Sequence, residues 1–200
     1  NETQNRAISP TPTIGGVGFI KNLNNMITKD LKEVGSYIIV VGKTLGHLHQ
    51  SELFRVVLEI TDGQPPEINL FNEKSNGLII QRLISNKLVR SVHDISAGGI
   101  LVTLSEMCIS GKIGAKIEIP RDNISSYEYL FSEDQSRYLV EVNEENKDEV
   151  CKILEKNSVY YEIIGKTQEE SLDLYKEFSI KLTELSRLNS FWFKNYYKEI

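Results

Sequence analysis

At 200 residues, 40% hydrophobic and 26% charged, with 13 Gly and 5 Pro, the chain has the composition of one folded domain of mixed helix and strand, and neither a disordered nor a collagen-like polymer fits. Its 23 basic and 28 acidic side chains leave a net charge of -5, which argues against a broad nucleic-acid surface but leaves room for a local site that takes a small anion. Cys108 and Cys151 form no CxxC pair, so neither a metal knuckle nor a disulfide framework is expected, and no run of roughly 18 apolar residues is present to cross a bilayer; a cytosolic setting fits best.

The first stretch, "NETQNRAISPTPTIGG", is rich in Asn, Thr, Ser, Pro and Gly and reads as a linker. Pro10 and Pro12 bias Ser9 and Thr11 away from the helical region, which predicts an extended segment. With no initiator Met, the chain reads as a piece of a longer polypeptide. "VGFIKNL" and then "SYIIVVG", the latter between Gly35 and Gly42, read as strands. A polar loop, "KTLGHLHQSEL", follows, with a turn at Asp62-Gly63 and a Pro65-Pro66 pair that excludes a helix interior. From Asn69 to Lys87, Leu70, Leu78, Ile79, Leu83 and Ile84 fit one helical face, which gives way near Asn86 to a short strand at 89–92.

That strand runs into His93, Asp94, Ser96, Gly98 and Gly99, after which Ile100, Leu101, Leu104, Met107 and Cys108 predict a helix closed by Gly111. "GAKIEIP" alternates like a half-exposed strand, and "EYLFSEDQSRYLVEV" carries a polar turn into another. "NKDEVCKILEKNS" reads as a helix and "YYEIIGKT" as a strand. Leu172, Tyr175, Phe178, Leu182, Leu185, Leu188, Trp192 and Tyr196 fit a final amphipathic helix. The order predicted is β-rich first and then αβαβ, an α/β (α+β) fold with a mixed sheet packed by helices.

Each candidate site carries two readings. Gly98-Gly99 after a strand permits a tight turn and close helix packing; alternatively the helix N-terminus cradles an oxyanion or phosphate, with Ser96 donating a hydrogen bond. No P-loop or GxGxxG fingerprint is present. His93 and Asp94 form an acid–base or metal pair, or a structural donor and a turn cap. His47 and His49 lack a nearby Cys or acidic cluster, so metal ligation there is the weaker reading. Glu133, Asp134 and Arg137 either hold substrate or Mg²⁺, or fix their own loop as an ion pair. The terminal "FWFKNYY" is too dense to be all solvated and is expected to pack on this domain or a neighbour.

Taken in order, "NETQNRAISPTPTIGGVG", "SVHDISAGGILVTLSEM", "LFSEDQSRYLVEV" and "EIIGKT" resemble the second C-terminal-type domain of the phosphoribosylformylglycinamidine synthase family, within the aminoimidazole ribonucleotide synthase superfamily, and the resemblance covers nearly the whole chain. It implies that residues 1–16 are the end of a preceding nucleotide-binding half plus a crossover, and that 17–200 form an α/β domain that closes a cleft. The implied reaction is that of an ATP-dependent carbon–nitrogen ligase. ATP activates the amide oxygen of formylglycinamide ribonucleotide, and ammonia from a glutaminase partner displaces phosphate to give formylglycinamidine ribonucleotide, with Mg²⁺ neutralising charge. Another superfamily member, aminoimidazole ribonucleotide synthase, is the alternative, as is a structural or auxiliary nucleotide module.

The resemblance implies that catalytic and metal-binding residues reside in halves outside this chain, so that the piece alone is inactive and holds neither ATP nor Mg²⁺ tightly. Expected partners are those halves, the glutaminase and a small-molecule substrate, with neither nucleic acid nor membrane. It further implies that His93, Asp94, Ser96, Gly98 and Gly99 lie at the cofactor cleft. Glu133, Gln135 and Ser136 fall on the family's "ESQ" substrate segment, and Arg137 joins them as an expected substrate contact. Asp134 stands where the family's first repeat has Ser, and the chain resembles the second repeat, so substrate and auxiliary nucleotide both remain open as ligands of this copy; His49-Gln50 replace the usual small residues of the "GKTLGHLHQSEL" loop, which argues against direct phosphate contact at Ser51.

Overall fold

The run Ile38-Ile39-Val40-Val41 is apolar at every position rather than at alternate ones, which requires a strand buried on both faces. In the computed structural model, which describes residues 2–3, 6–7, 12–20, 22–120 and 124–196, that strand is β3 (Tyr37–Val41), in the interior of a seven-stranded sheet. The chain begins with a two-residue antiparallel pair, β1 (Glu2–Thr3) and β2 (Arg6–Ala7). The sheet also holds β4 (Ser91–Asp94), β5 (Gly114–Ile117), β6 (Tyr138–Val142), β7 (Tyr161–Gln168), β8 (Ser171–Leu174) and β9 (Phe178–Lys181). Its order is β4-β6-β3-β7-β5-β8-β9, antiparallel throughout except for the parallel β5–β8 pair.

Period-two alternation then assigns each side chain to a face. Ile38 and Val40 join Leu139, Ile164 and Ile117 under α2 (Gly99–Gly111), α3 (Ser126–Phe131) and the first turn of α5 (Leu182–Tyr196), where Leu182 and Leu185 pack. Ile39 and Val41 join Val140 and Val142 on the opposite face, covered by Ile79, Ile80 and Leu83 of α1 (Leu70–Ser85) and by Val150 and Leu154 of α4 (Lys147–Lys156). The mixed sheet is packed with helices, as expected, and they cover both of its faces. One buried acid belongs to this frame. The Glu141 carboxylate accepts the backbone N–H groups of Lys32 (2.8 Å) and Glu33 (2.9 Å) and the Ser91 hydroxyl (3.0 Å), tying the turn before β3 to the sheet edge.

Several local expectations are corrected. Among the described residues of "VGFIKNL" none is in a strand: residues 17–20 lie exposed, with Val17 at 105%, and Leu23 opens a 3-10 turn. Leu70 and Leu78 of α1 face solvent, and Ile80 takes the buried place instead. The strand after α1 is shifted, because Leu88 and Val89 enter the core ahead of the ladder that starts at Ser91. Lys112, not Gly111, is the left-handed C-cap of α2 at φ 56°. The stretch before "SEDQSR" contains α3, opened by a capping box in which Ser125 accepts the Glu128 amide and Glu128 accepts the Ser125 amide. The final stretch begins as β8 and β9 and becomes helical only at Leu182, so β7, β8 and β9 run consecutively before α5; earlier in the chain three strands precede α1, after which helices and strands alternate as far as β7, as the expected order has it. Ser9, Pro10 and Thr11, expected to be extended, lie outside the described residues. Among the described residues no helix is long and apolar enough to cross a membrane.

Candidate functional site

The segment 132–137 links α3 to β6; its two acids are spent on backbone amides of three other segments, and its arginine on its own carbonyls and the Thr44 hydroxyl. Arg137 is 1% exposed. Its guanidinium donates to the Ser132 carbonyl (2.6 Å), the Asp134 carbonyl (3.1 Å) and the Thr44 hydroxyl (3.0 Å). Burial, opposed chiefly by the Asp134 carboxylate, pulls its pKa below the usual arginine range. Arg137, one of the expected substrate contacts, is the peg that holds the turn, as the brace reading of this cluster has it.

The two acids beside it point to different neighbours. Asp134 accepts the amides of Leu45 (2.8 Å), Gly46 (3.0 Å) and His47 (3.4 Å), so its carboxylate fills a concavity of backbone N–H groups. Glu133 Oε1 accepts the amides of Glu52 (2.7 Å) and Gly98 (2.8 Å). The glycine turn before α2, which pattern alone allowed as an anion cradle, is thus occupied by the protein's own carboxylate. Gly99, at φ +69°, meets the other reading of that turn: a β-carbon there would lie 2.6 Å from the Leu130 carbonyl oxygen and 2.7 Å from that of Ser132. The two sequence motifs "HDISAGG" and "SEDQSR" are brought together as backbone against backbone.

On one side of this turn opens a cleft of about 600 Å³, lined by Lys43, His47, His49, Asn69, Asn72, Asn76, Gln135 and Ser136 among others. Its floor is built by close approach. Gly42 sits at φ +98°, where a β-carbon would stand 2.5 Å from the Ser136 carbonyl oxygen. Asn76 donates from its amide to the Ser136 carbonyl (2.9 Å) and hydroxyl (3.2 Å), fixing Ser136 in its left-handed conformation at φ 63°. His47 and His49 do not converge on a metal in this arrangement. His47 Nε2 bonds the Gln64 carbonyl (2.8 Å) and His49 Nδ1 the Asp62 carbonyl (3.3 Å), pinning the 61–64 turn over the cleft. Lys43, Asn69, Asn72 and Asn76 escaped the sequence reading. The available signal was the i, i+3, i+7 spacing of three asparagines at the start of α1, a polar stripe facing the turn.

A second groove of about 380 Å³ lies on the other side, lined by Asp94, Ser96, Glu133, Gln135, Ser136 and Tyr138 among others. His93 stands behind it. Its Nδ1 lies 3.1 Å from Asp94 Oδ1 and its Nε2 3.0 Å from Glu106 Oε2, which also receives Lys29 Nζ at 2.6 Å. The Lys29 hydrogen bond, and then that of His93, hold the Glu106 carboxyl below its ordinary value of 4.5. A carboxylate so depressed stabilises the fold fully above that value and ceases to do so as pH falls through its folded-state pKa. Urea midpoints measured from pH 7 down to about 3.5 are therefore expected to fall further for the native chain than for Glu106→Gln, the two curves converging at the acid end. Parallel curves would show that the contact contributes nothing. Among the described residues no group of three or more His, Cys, Asp or Glu is placed to hold a metal ion.

The family model described as AIR synthase related protein, C-terminal domain, matches residues 33–176. Phosphoribosylformylglycinamidine synthase subunit PurL of Pelagibacter ubique is 45% identical over 196 residues, covering 98% of this chain and 27% of that protein. Among solved structures, T. maritima PurL complexed with FGAR matches 82% of this chain and 30% of its own, with a TM-score of 0.67 at 19% identity. The structure of PurLQS from Thermotoga maritima matches 82% of this chain and 28% of its own, with a TM-score of 0.64 at 20% identity. At those identities the structural likeness speaks for the fold. The chain spans about a quarter of the length of the curated relatives it matches, 27% for the Pelagibacter protein.

Proposed function

The chain belongs to the family of AIR synthase related C-terminal domains, and from that premise we propose that it is the cleft-closing domain of an ATP-dependent ligase that makes formylglycinamidine ribonucleotide from formylglycinamide ribonucleotide and glutamine-derived ammonia. The observation that carries the reading is the alignment of 98% of the chain, at 45% identity, with a synthase subunit of that name. A relative of the same fold complexed with FGAR, and another in an assembly named PurLQS, support the substrate and the multi-subunit partner. The same reading makes the protein cytoplasmic, with neither membrane nor nucleic acid as partner.

In this reading Gln135 and Ser136, presented at the lip between the two grooves, meet the substrate, and Asp94 and Ser96 line the approach to it. Glu133, Gly98, Gly99 and Arg137 set the shape of that lip, and His93 braces it from behind. Among the described residues no three His, Cys, Asp or Glu side chains are gathered to hold Mg²⁺; Asp134 and Glu133 are bonded to backbone amides, and Glu128 is spent in the capping box. ATP and Mg²⁺ accordingly fall to the rest of the enzyme, and the chemistry of this chain is to shape the cleft, orient the substrate and exclude water.

The test is a chimaera in which this chain replaces the matching segment of the Pelagibacter protein. Formation of formylglycinamidine ribonucleotide with ammonia as donor is expected to stay within about tenfold of the parent in kcat/KM. The chain alone is expected to give no turnover. A folded chimaera without activity would sink the reading, and turnover by the isolated chain would overturn its division of labour.

A further inference from the structure

Ser136 lines both grooves, and it stands in the left-handed region at φ 63°. That region brings the β-carbon of an L-residue against a carbonyl oxygen, so a serine remains there only where its surroundings hold it. Asp134 and Arg137 anchor the turn on either side of Ser136. The hold on Ser136 itself comes from Asn76 of α1, 60 residues away in the chain.

Asn76 is 7% exposed, and its side chain meets two atoms of the serine. A carbonyl oxygen can only accept, so the atom that faces the Ser136 carbonyl at 2.9 Å is the Asn76 amide nitrogen and not its oxygen. The same nitrogen lies 3.2 Å from the Ser136 hydroxyl oxygen, which therefore accepts as well. A hydroxyl that accepts from one side turns its single proton to another. The accepting side is that of α1, so the proton is directed away from the helix and is left for a group in the grooves that Ser136 lines.

We infer that Asn76 is a positioning residue of the ligand site, which holds Ser136 in the left-handed conformation and sets its hydroxyl as a hydrogen-bond donor towards the substrate. The inference rests on the reading in which Ser136 meets the substrate, and it adds a residue on another element. Both hydrogens of the Asn76 amide are engaged by Ser136, so Asn76 acts through that serine. A carboxylate in its place would reverse the arrangement, repelling the Ser136 carbonyl and taking the hydroxyl proton for itself.

Steady-state kinetics of the chimaera that carries this chain in the Pelagibacter protein test it. Asn76→Ala, and Asn76→Asp with the side-chain shape kept, are each expected to raise KM for formylglycinamide ribonucleotide about tenfold with kcat within about twofold, the pattern of lost substrate binding. Ser136→Gly, which removes the hydroxyl, is expected to do the same. Glycine takes a positive φ without being held, so adding Asn76→Ala to it is expected to change KM by less than about twofold. A helix merely loosened by the loss of Asn76 would give the same added effect in either background. A tenfold effect of Ser136→Gly with none from either Asn76 variant, or an Asn76→Ala effect that multiplies that of Ser136→Gly, would overturn the inference and leave the substrate reading standing. No effect of Ser136→Gly, or a folded chimaera without turnover, would overturn both.

Discussion

Arg137→Met is expected to lower the free energy of unfolding by about 3–5 kcal/mol, the range for removing one partner from a buried charged network. The magnitude follows from what remains. The carbonyls of Ser132 and Asp134 and the Thr44 hydroxyl would stay buried without their donor, and the Asp134 carboxylate would lose the cation nearest to it. The methionine stem keeps most of the packing, so the loss reports hydrogen bonding and charge rather than a cavity. Arg137→Lys is expected to recover only part of the loss, because one ammonium cannot serve three acceptors that a planar guanidinium reaches from separate nitrogens. Urea denaturation of the three proteins measures this. A loss below about 1 kcal/mol in the methionine variant would mean that the turn relaxes into water and that Arg137 is not its peg.

The same residue shows where sequence reasoning stops. A cluster of Glu, Asp and Arg in a turn reads identically as a ligand site or as a local brace, because spacing carries no information on burial. What separates them is tertiary: Thr44, 93 residues away, arrives beside the guanidinium. The buried strand Ile38–Val41 was legible for the converse reason, since apolar residues on both faces leave a single environment that suits them. The final stretch misled through a coincidence of period. Leu172, Tyr175 and Phe178 are three apart, as on a helix, yet Leu172 and Leu174 bury one face of β8, and Tyr175 sits in the turn closed by the Glu177 N–H to Leu174 carbonyl bond. The capping box of α3 was present as Ser125 and Glu128 and was a usable start signal. The cleft wall of Asn69, Asn72 and Asn76 needed the third dimension, because only the docking of α1 beside Ser136 turns a polar stripe into a lining.

Gly99→Val is expected to cost more than about 4 kcal/mol, a large fraction of the roughly 5–15 kcal/mol by which a domain of ordinary stability is folded. Two independent penalties add. At φ +69° a β-branched residue occupies a conformation that costs on the order of 1–2 kcal/mol before any contact is counted. Its β-carbon would then lie 2.6 Å from the Leu130 carbonyl oxygen, 2.7 Å from that of Ser132 and 2.8 Å from the Phe131 carbonyl carbon, all backbone atoms that cannot swing aside as a side chain can. Relief requires moving the end of α3, and α3 leads into the turn whose Glu133 holds the Gly98 amide, so the displacement would be felt at both grooves. Gly99→Ala, which lacks the branch, is expected to destabilise by less than the valine variant but by well over 1 kcal/mol. Gly16→Ala, where no atom lies within 4 Å of the added carbon, is expected to change stability by less than about 0.5 kcal/mol. Circular-dichroism melting of the set orders them. A valine variant that melts within a few degrees of the native chain would show that α3 and α2 separate freely, and with that the backbone-to-backbone seam between the two motifs would no longer explain the glycine.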